Sequence, residues 1–377
     1  MERQTVRLSE IFCQDRAIGS LQRAFAAGRM AHAYLFAGPP GVGRRTTAEA
    51  WARMLLCRQR VTGPQGFADS CGQCAACRLF DAGSHPDFQP IRKELRPYTG
   101  KDKGLEAKQD LPMSVVKEYL IDKAPLRPQM ADHVVFLVHE AERLNTSSQN
   151  ALLKLLEEPP GHCLIILLCS RLERMLSTIH SRCQVVQFGP IDEAVLVERL
   201  TADGLGAEEA AFWARFCQGS LGEAQRWAAL DVDGGGAYAI YTGLLGRLVA
   251  FGLPQAVDLA GDLADRAKAL AVAWAREAPD AGKTDLNRRA LKGLLAMIQS
   301  IYRDAMFLAA GHGPGLGAAG PRGEIRRLAE RYDVETLGDF VARAADRMGW
   351  VEASVNERLL LEELLLYMGG CAIIQDL

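Results

Sequence analysis

The stretch that most constrains the fold is Phe36–Ala48, FAGPPGVGRRTTA, because few backbone geometries accommodate three glycines and two prolines in eight residues. It continues an apolar run, HAYLFAG (His32–Gly38), and leads into RRTTAEAWARMLL, where Ala48, Trp51, Ala52 and Leu55 recur at helical spacing. The sequence therefore predicts strand, loop and helix in that order. Gly38 and Gly43 stand at the separation of a phosphate-binding loop, whose pattern is Gly, four residues, Gly, Lys, then Ser or Thr. With Gly41, these glycines let backbone N–H groups turn toward an anion at the start of a helix.

The residues that carry turnover in such a loop are altered. Arg44 stands where a lysine would reach the terminal phosphates, and Arg45 removes the hydroxyl that would hold magnesium. Thr46 has a hydroxyl, but one helical residue further on it points about 100° away. In VVFLVHEAERL, His139 occupies the position at which a carboxylate would hold magnesium, while Glu140 follows as a candidate activator of water. Imidazole is a poor ligand for hard magnesium. Two independent metal contacts are thus lost, and the loop reads as one retained without hydrolysis.

A second feature is the cysteine set Cys57, Cys71, Cys74 and Cys77. CGQCAAC contains two overlapping C-x2-C steps, which place sulfurs on one tight turn, and a distant fourth thiolate closes the tetrahedral shell of structural zinc. Cys57 is the simplest fourth donor and His85 the weaker alternative. A closed shell leaves no open position, so this metal is expected to hold structure and catalyse nothing. Free thiols or a redox pair are the alternative reading of the four.

The chain has 377 residues, room for two or three domains at roughly 150 residues each. Forty-four Lys and Arg against forty-six Asp and Glu exclude a protein that binds nucleic acid by bulk charge. The N-terminus lacks the apolar core of a signal peptide, and no run approaches the roughly 18 apolar residues of a membrane span. A cytoplasmic protein with no membrane partner is expected, with thiols reduced rather than paired.

Along the chain, residues 57–86 read as a small inserted module and 91–110 as a charged exposed loop before an amphipathic helix, SVVKEYLIDKA. HVVFLV (133–138), CLIILLC and CQVVQF read as further strands. Thr146 and Gln149 suggest a capping box for SSQNALLKLLEE, stopped by Pro159 and Pro160. Strands alternating with helices give an α/β domain with a mainly parallel sheet over residues 1–190. Beyond Ile191 the periodicity is helical throughout, with Gly-rich breaks at 233–236 and 311–320.

HAYLFAGPPGVGRRTTAEAWARMLLC, NALLKLLEEPP and STIHSRCQVVQF together resemble the clamp-loader branch of the AAA+ ATPases, and the four-cysteine module is similar to that of bacterial DNA polymerase III clamp-loader subunits. The resemblance covers residues 18–190 and implies a RecA-like AAA+ α/β domain with a zinc module, followed by a helical lid over 191–235 and a helical collar over 236–377. It implies zinc at Cys57, Cys71, Cys74 and Cys77, although the Cys57–Cys71 gap is longer than the family pattern. Ser181, Arg182 and Cys183 match the Ser-Arg-Cys motif, whose arginine completes the ATP site of an adjacent subunit. The lid's ATP-sensing arginine would fall at Gly222 and is missing.

The altered loop points to the non-hydrolysing kind of subunit rather than to the motor subunits named gamma or tau. The implied partners are gamma/tau motors, a delta subunit, the sliding clamp and primed DNA, with ATP bound by a neighbour. Two alternatives stay open: an ATP-hydrolysing gamma/tau-type subunit that tolerates arginine in its loop, and a zinc-dependent protein that reads DNA through residues 57–110.

Overall fold

Five segments line up in parallel, the three inner ones apolar and buried throughout. In a computed structural model, which describes residues 6–103, 110–277, 282–312, 322–353 and 356–375, they are β1 (Ala33–Ala37), β4 (Phe88–Ile91), β5 (Val134–Val138), β6 (Cys163–Cys169) and β7 (Gln184–Gln187). The intervening β2 (Val61–Thr62) and β3 (Ala68–Asp69) form a separate antiparallel ribbon in the cysteine module. The strand order is β4-β5-β6-β1-β7, with every neighbour pair parallel. β6 is central and β1 lies between it and the edge strand β7, so that Leu35 pairs with Leu167 on one side and Val185 on the other.

Alternation along the strands builds two cores. Tyr34, Phe36, Leu164, Ile166 and Leu168 face one layer, which contains α1 (Asp15–Ala26) and α2 (Arg44–Leu56), with Trp51 fully buried there. Ala33, Leu35, Ile165 and Leu167 face the other, against Leu152 and Leu156 of α5 (Thr146–Glu157). Coverage on both faces is why these strands are apolar without a break. β4 is not among the expected strands: Gln89 and Pro90 interrupt its apolarity, and it lies at a sheet edge, where a proline costs no ladder bond.

Two local expectations are corrected. The cap of α5 is Asn145, whose side chain accepts a hydrogen bond from the Ser148 N–H at 2.8 Å, and Thr146 is already the first helical residue. Gln149 does not close a capping box; its amide nitrogen donates to Leu144 O and Arg174 O, and its oxygen accepts from Leu176 N. The segment SVVKEYLIDKA is not one α-helix. Its first turn, α4 (Met113–Val116), passes into a wide π turn (Lys117–Ile121) closed by Asp122 N to Lys117 O at 2.9 Å. Apolar residues four apart, Val116, Leu120 and Ala124, drift around a 3.6-residue helix, and the wide turn keeps all three buried.

The described chain forms two compact units, one of residues up to Asp192 with Gly219–Gly222, the other of Glu193–Gln218 with Glu223 onward. The second is helical from α7 (Glu193–Ala202), α8 (Ala207–Phe216) and α9 (Leu221–Ala228) to α15 (Glu357–Gln375), apart from a two-residue ribbon at 231–232 and 235–236. Its core includes Trp213 stacked on Trp227 with ring centroids 5.6 Å apart, and Trp227 edge-on to Trp274. Among the described residues no helix is long and apolar enough to cross a membrane. Residues 104–109 of the charged loop and 313–320 of the second Gly-rich break lie outside the described residues.

Candidate functional site

The phosphate loop leaves the carboxyl end of β1, where ligands of parallel α/β sheets are held. Gly38 adopts φ +154°, its N–H donates to Cys169 O at 3.3 Å, and a Cβ there would stand 2.4 Å from Phe188 O. The glycine is therefore demanded by the end of β7 whether or not phosphate binds. Gly43, at φ +100°, is the N-cap of α2, and nothing within 4 Å would meet a Cβ there. Left-handed φ, not crowding, requires glycine at that position.

The side chains at positions 44 and 45 have partners within the protein. The Arg44 Nε donates to Pro39 O at 3.2 Å, so the guanidinium folds onto its own loop. Burial lowers its pKa, while the charge of Glu142 acts in the opposite sense. Arg45 pairs with Glu49 one turn along α2 at 2.8 Å, and Thr46 is exposed. At the end of β5, His139 donates its N–H to Ile91 O at 2.9 Å, continuing the sheet. Glu140 sits in the left-handed region at φ 48° and spends its carboxylate on Arg143 (2.9 Å) and Lys93 (3.6 Å). The carboxylate that acts on Arg44 is Glu142, which accepts from the Ser170 hydroxyl; its helical-turn context gave no sequence signal for this. Gly222, where a sensing arginine would stand, donates its N–H to Gly41 O at 3.1 Å.

Arg182 follows a short helix, α6 (Ser177–His180), and is about one-third exposed. Its Nη2 pairs with Glu157 at 2.6 Å, and Nη1 donates to Thr178 O at 3.1 Å and to Ser181 Oγ at 3.3 Å. Cys183 is buried, which pushes its thiol up to about 12 and leaves it a packing residue. Glu157 ends α5, within the LLEEPP stretch, so two sequence-distant motifs meet at this arginine.

The four cysteines converge. Cys57 caps the carboxyl end of α2, Cys74 caps the start of α3 (Ala75–Asp81), and Cys77 lies one turn inside it. All four sulfurs lie within 4.8 Å of one another, with Cys57–Cys71 at 3.6 Å, Cys57–Cys74 at 3.8 Å and Cys71–Cys77 at 4.0 Å. A tetrahedron with Zn–S bonds near 2.3 Å has edges of about 3.8 Å, so the separations suit zinc and are far from a disulfide bond. Backbone N–H groups of Cys71, Cys74 and Cys77 point at the sulfurs of Cys57, Cys71 and Cys74. Burial raises the Cys74 thiol, but the amides of Cys77 and Arg58 outweigh it with help from the neighbouring thiols, bringing it down to about 6. Thiolate formation, the form that binds metal, is thus favoured at one member, while burial raises Cys77. His85 is not a member of the cluster: its Nδ1 accepts from Asp87 N at 3.1 Å, and the long Cys57–Cys71 gap is taken up by the β2–β3 ribbon.

A parallel sheet with a glycine loop at the carboxyl end of an inner strand, β1, a cysteine module after the loop helix and a helical second unit make an AAA+-type α/β architecture. Residues 13–192, just under half of the chain, match the family described as DNA polymerase III, delta subunit. Over this stretch the chain is similar to DNA polymerase III clamp-loader subunits. It is 38% identical over 153 residues to DNA polymerase III subunit delta' of Pseudomonas aeruginosa, covering 41% of this chain and 42% of that one. It is 34% identical over 205 residues to subunit delta' of Escherichia coli, covering 54% and 56%. Against subunit gamma/tau of Mycobacterium bovis the identity is 28% over 361 residues, covering 94% of this chain and 59% of the relative. The chain thus spans about half the length of the curated relatives it matches.

Proposed function

We propose that this chain is a delta-prime-type clamp-loader subunit: it hydrolyses no ATP itself and supplies Arg182 to the ATP site of a neighbouring motor subunit. In this reading the chain joins gamma/tau and delta subunits in the cytoplasm, the assembly places the sliding clamp on primed DNA, and polymerase activity lies elsewhere in the holoenzyme. Residues 191–235 would serve as lid and 236–377 as collar, and Cys57, Cys71, Cys74 and Cys77 would hold one structural zinc.

The observation that carries the reading is the engagement of the loop's own cation: Arg44 is hydrogen-bonded to Pro39 O within the loop. Supporting it, Glu140 is paired with Arg143 and Lys93, and Gly222 supplies an amide in place of a guanidinium. An arginine contributed in trans stabilises charge on the transferring phosphoryl group and is worth about 10³–10⁵ in rate. Arg182→Ala in a loader reconstituted with motor and delta subunits should therefore remove most of the ATPase at the adjoining site. ATP turnover by the purified chain that Glu140→Gln abolishes would overturn the inert reading. The second reading, a gamma/tau-type subunit with its own turnover, is favoured by the length of the match to gamma/tau, 361 residues. The same Glu140→Gln measurement separates the two.

A further inference from the structure

Arg53 is buried although it carries a charge, and it lies one turn before Cys57 on α2. A buried guanidinium must be paired to be tolerated. Its Nη2 pairs with Asp81 at 2.5 Å and its Nη1 donates to Ser70 Oγ at 3.2 Å. Asp81 lies on α3, one turn after Cys77. Each helix thus presents one thiol and one charged group at i, i+4, on a common face. The Arg53–Asp81 pair and the Cys57–Cys77 pair, whose sulfurs lie within 4.8 Å, are two rungs between the same two helices.

The turn between the helices is held by the same group. Gly72, at φ +77°, would place a Cβ 3.6 Å from Arg53 Nη2 and 3.5 Å from Arg7 Nη2, and Arg7 donates to Cys71 O at 3.2 Å. Asp69 accepts from the N–H groups of Leu8, Ser9 and Ser70, fastening the N-terminal segment to the start of this turn.

We propose that Arg53 is a positioning residue for the metal site: through Ser70 and Asp81 it sets α3 and the Cys71–Cys74 turn against Cys57, so that the four sulfurs stand at zinc-binding separation before metal arrives. The proposal rests on the reading of the cysteine cluster as a zinc site. Removing a partner outside the ligand shell lowers metal affinity about 10–100-fold. The geometry differs from an ordinary buried ion pair in one respect: its loss should be felt more with metal bound than without.

The test uses the full chain and zinc ion itself. Zinc affinity is measured by competition with a chromophoric chelator for wild type, Arg53→Met and Arg53→Lys, and urea stability is measured with and without zinc. The expected result is at least a roughly tenfold loss of affinity in Arg53→Met, partial rescue in Arg53→Lys, and a stability deficit larger in the zinc-loaded protein. Equal affinities for wild type and Arg53→Met overturn the positioning role and leave the zinc site intact, as does a stability deficit of the same size with and without zinc. A wild type that binds no zinc overturns the zinc reading and this inference together. Should Arg53→Met not fold, Asp81→Asn, at the part-exposed end of the pair, gives the same readout, and unchanged zinc affinity there refutes the proposal.

Discussion

Gly38→Ala separates a loop retained for fold from one retained for nucleotide. The added Cβ would stand 2.4 Å from the Phe188 carbonyl oxygen, 3.0 Å from the Phe188 Cβ and 3.1 Å from its carbonyl carbon. These are backbone or near-backbone atoms at the end of β7, paired to β1 through Phe188 N to Ala37 O at 2.8 Å, so no flexible side chain can yield. Relieving such overpacking costs about 1–3 kcal/mol. Alanine at φ +154° adds strain of about 1–3 kcal/mol. The sum, about 2–6 kcal/mol, should lower the Tm of a unit this size by roughly 5–20 °C. Differential scanning calorimetry of the full chain measures it, with no nucleotide present. Gly43→Ala is the control: φ +100° with no atom in reach of the Cβ, so strain alone and a smaller drop are expected. A cooperative Gly38→Ala transition within about 2 °C of wild type would refute the claim that β7, not phosphate, dictates this glycine.

Asp304 is largely buried, which raises its carboxyl to about 6 against the opposing charge of Arg303. Its folded-state pKa lies above the unfolded one, so its contribution is complete below about pH 4 and is lost as pH rises through about 6. Asp304→Asn should accordingly gain on the order of 2 kcal/mol over wild type at pH 7.5 and little at pH 4, as read from urea melts at both values. Asn145→Ala should cost about 1 kcal/mol by removal of the α5 cap, whereas Thr146→Ala, one residue inside the helix, should leave the cap bond intact; equal losses in thermal melts would contradict the assigned cap. Glu157→Gln frees Arg182 from a half-exposed ion pair worth at most about 1 kcal/mol, so the ATPase of a reconstituted loader should stay level or rise up to about fivefold. A collapse to the level of Arg182→Ala would mean that Glu157 itself is required.

The sheet could be read from the sequence wherever a strand is buried on both faces, because β1, β5 and β6 must then be apolar without interruption. β4 escaped because an edge strand needs neither continuous apolarity nor every N–H, and FQPI spends both freedoms. The cysteine cluster could be read because three of its donors fall within seven residues, with Cys57 the simplest fourth; the fold decides for Cys57 over His85, as the β2–β3 ribbon lies in the chain between Cys57 and Cys71. Arg53, Glu142 and Glu157 gave no signal, for a charged residue in a helix has the same local pattern whether it meets solvent or a partner far along the chain. The cap of α5 was misplaced by one position because Asn145 and Thr146 are both able cap residues, and the register was set by burial of Ser148, Gln149, Leu152 and Leu156.

The phosphate loop has supports that do not depend on a bound nucleotide. A loop shaped only by its ligand would be free to drift in the absence of that ligand. Here Gly38 lies beneath Phe188, the Gly222 amide binds the Gly41 carbonyl, and α2 is fixed at its far end. That helix is 13 residues and so about 20 Å long, with Gly43 at one end and Cys57 at the other. Substitution at 44 and 45 touches none of these ties: Arg44 donates to Pro39 O beside Glu142, and Arg45 pairs with Glu49. The glycine spacing and the side-chain chemistry are therefore under separate constraints, the first from the sheet and the far end of the helix, the second from turnover. On the proposed non-hydrolysing reading, lifting only the second constraint leaves the glycines in place and lets arginine occupy both positions.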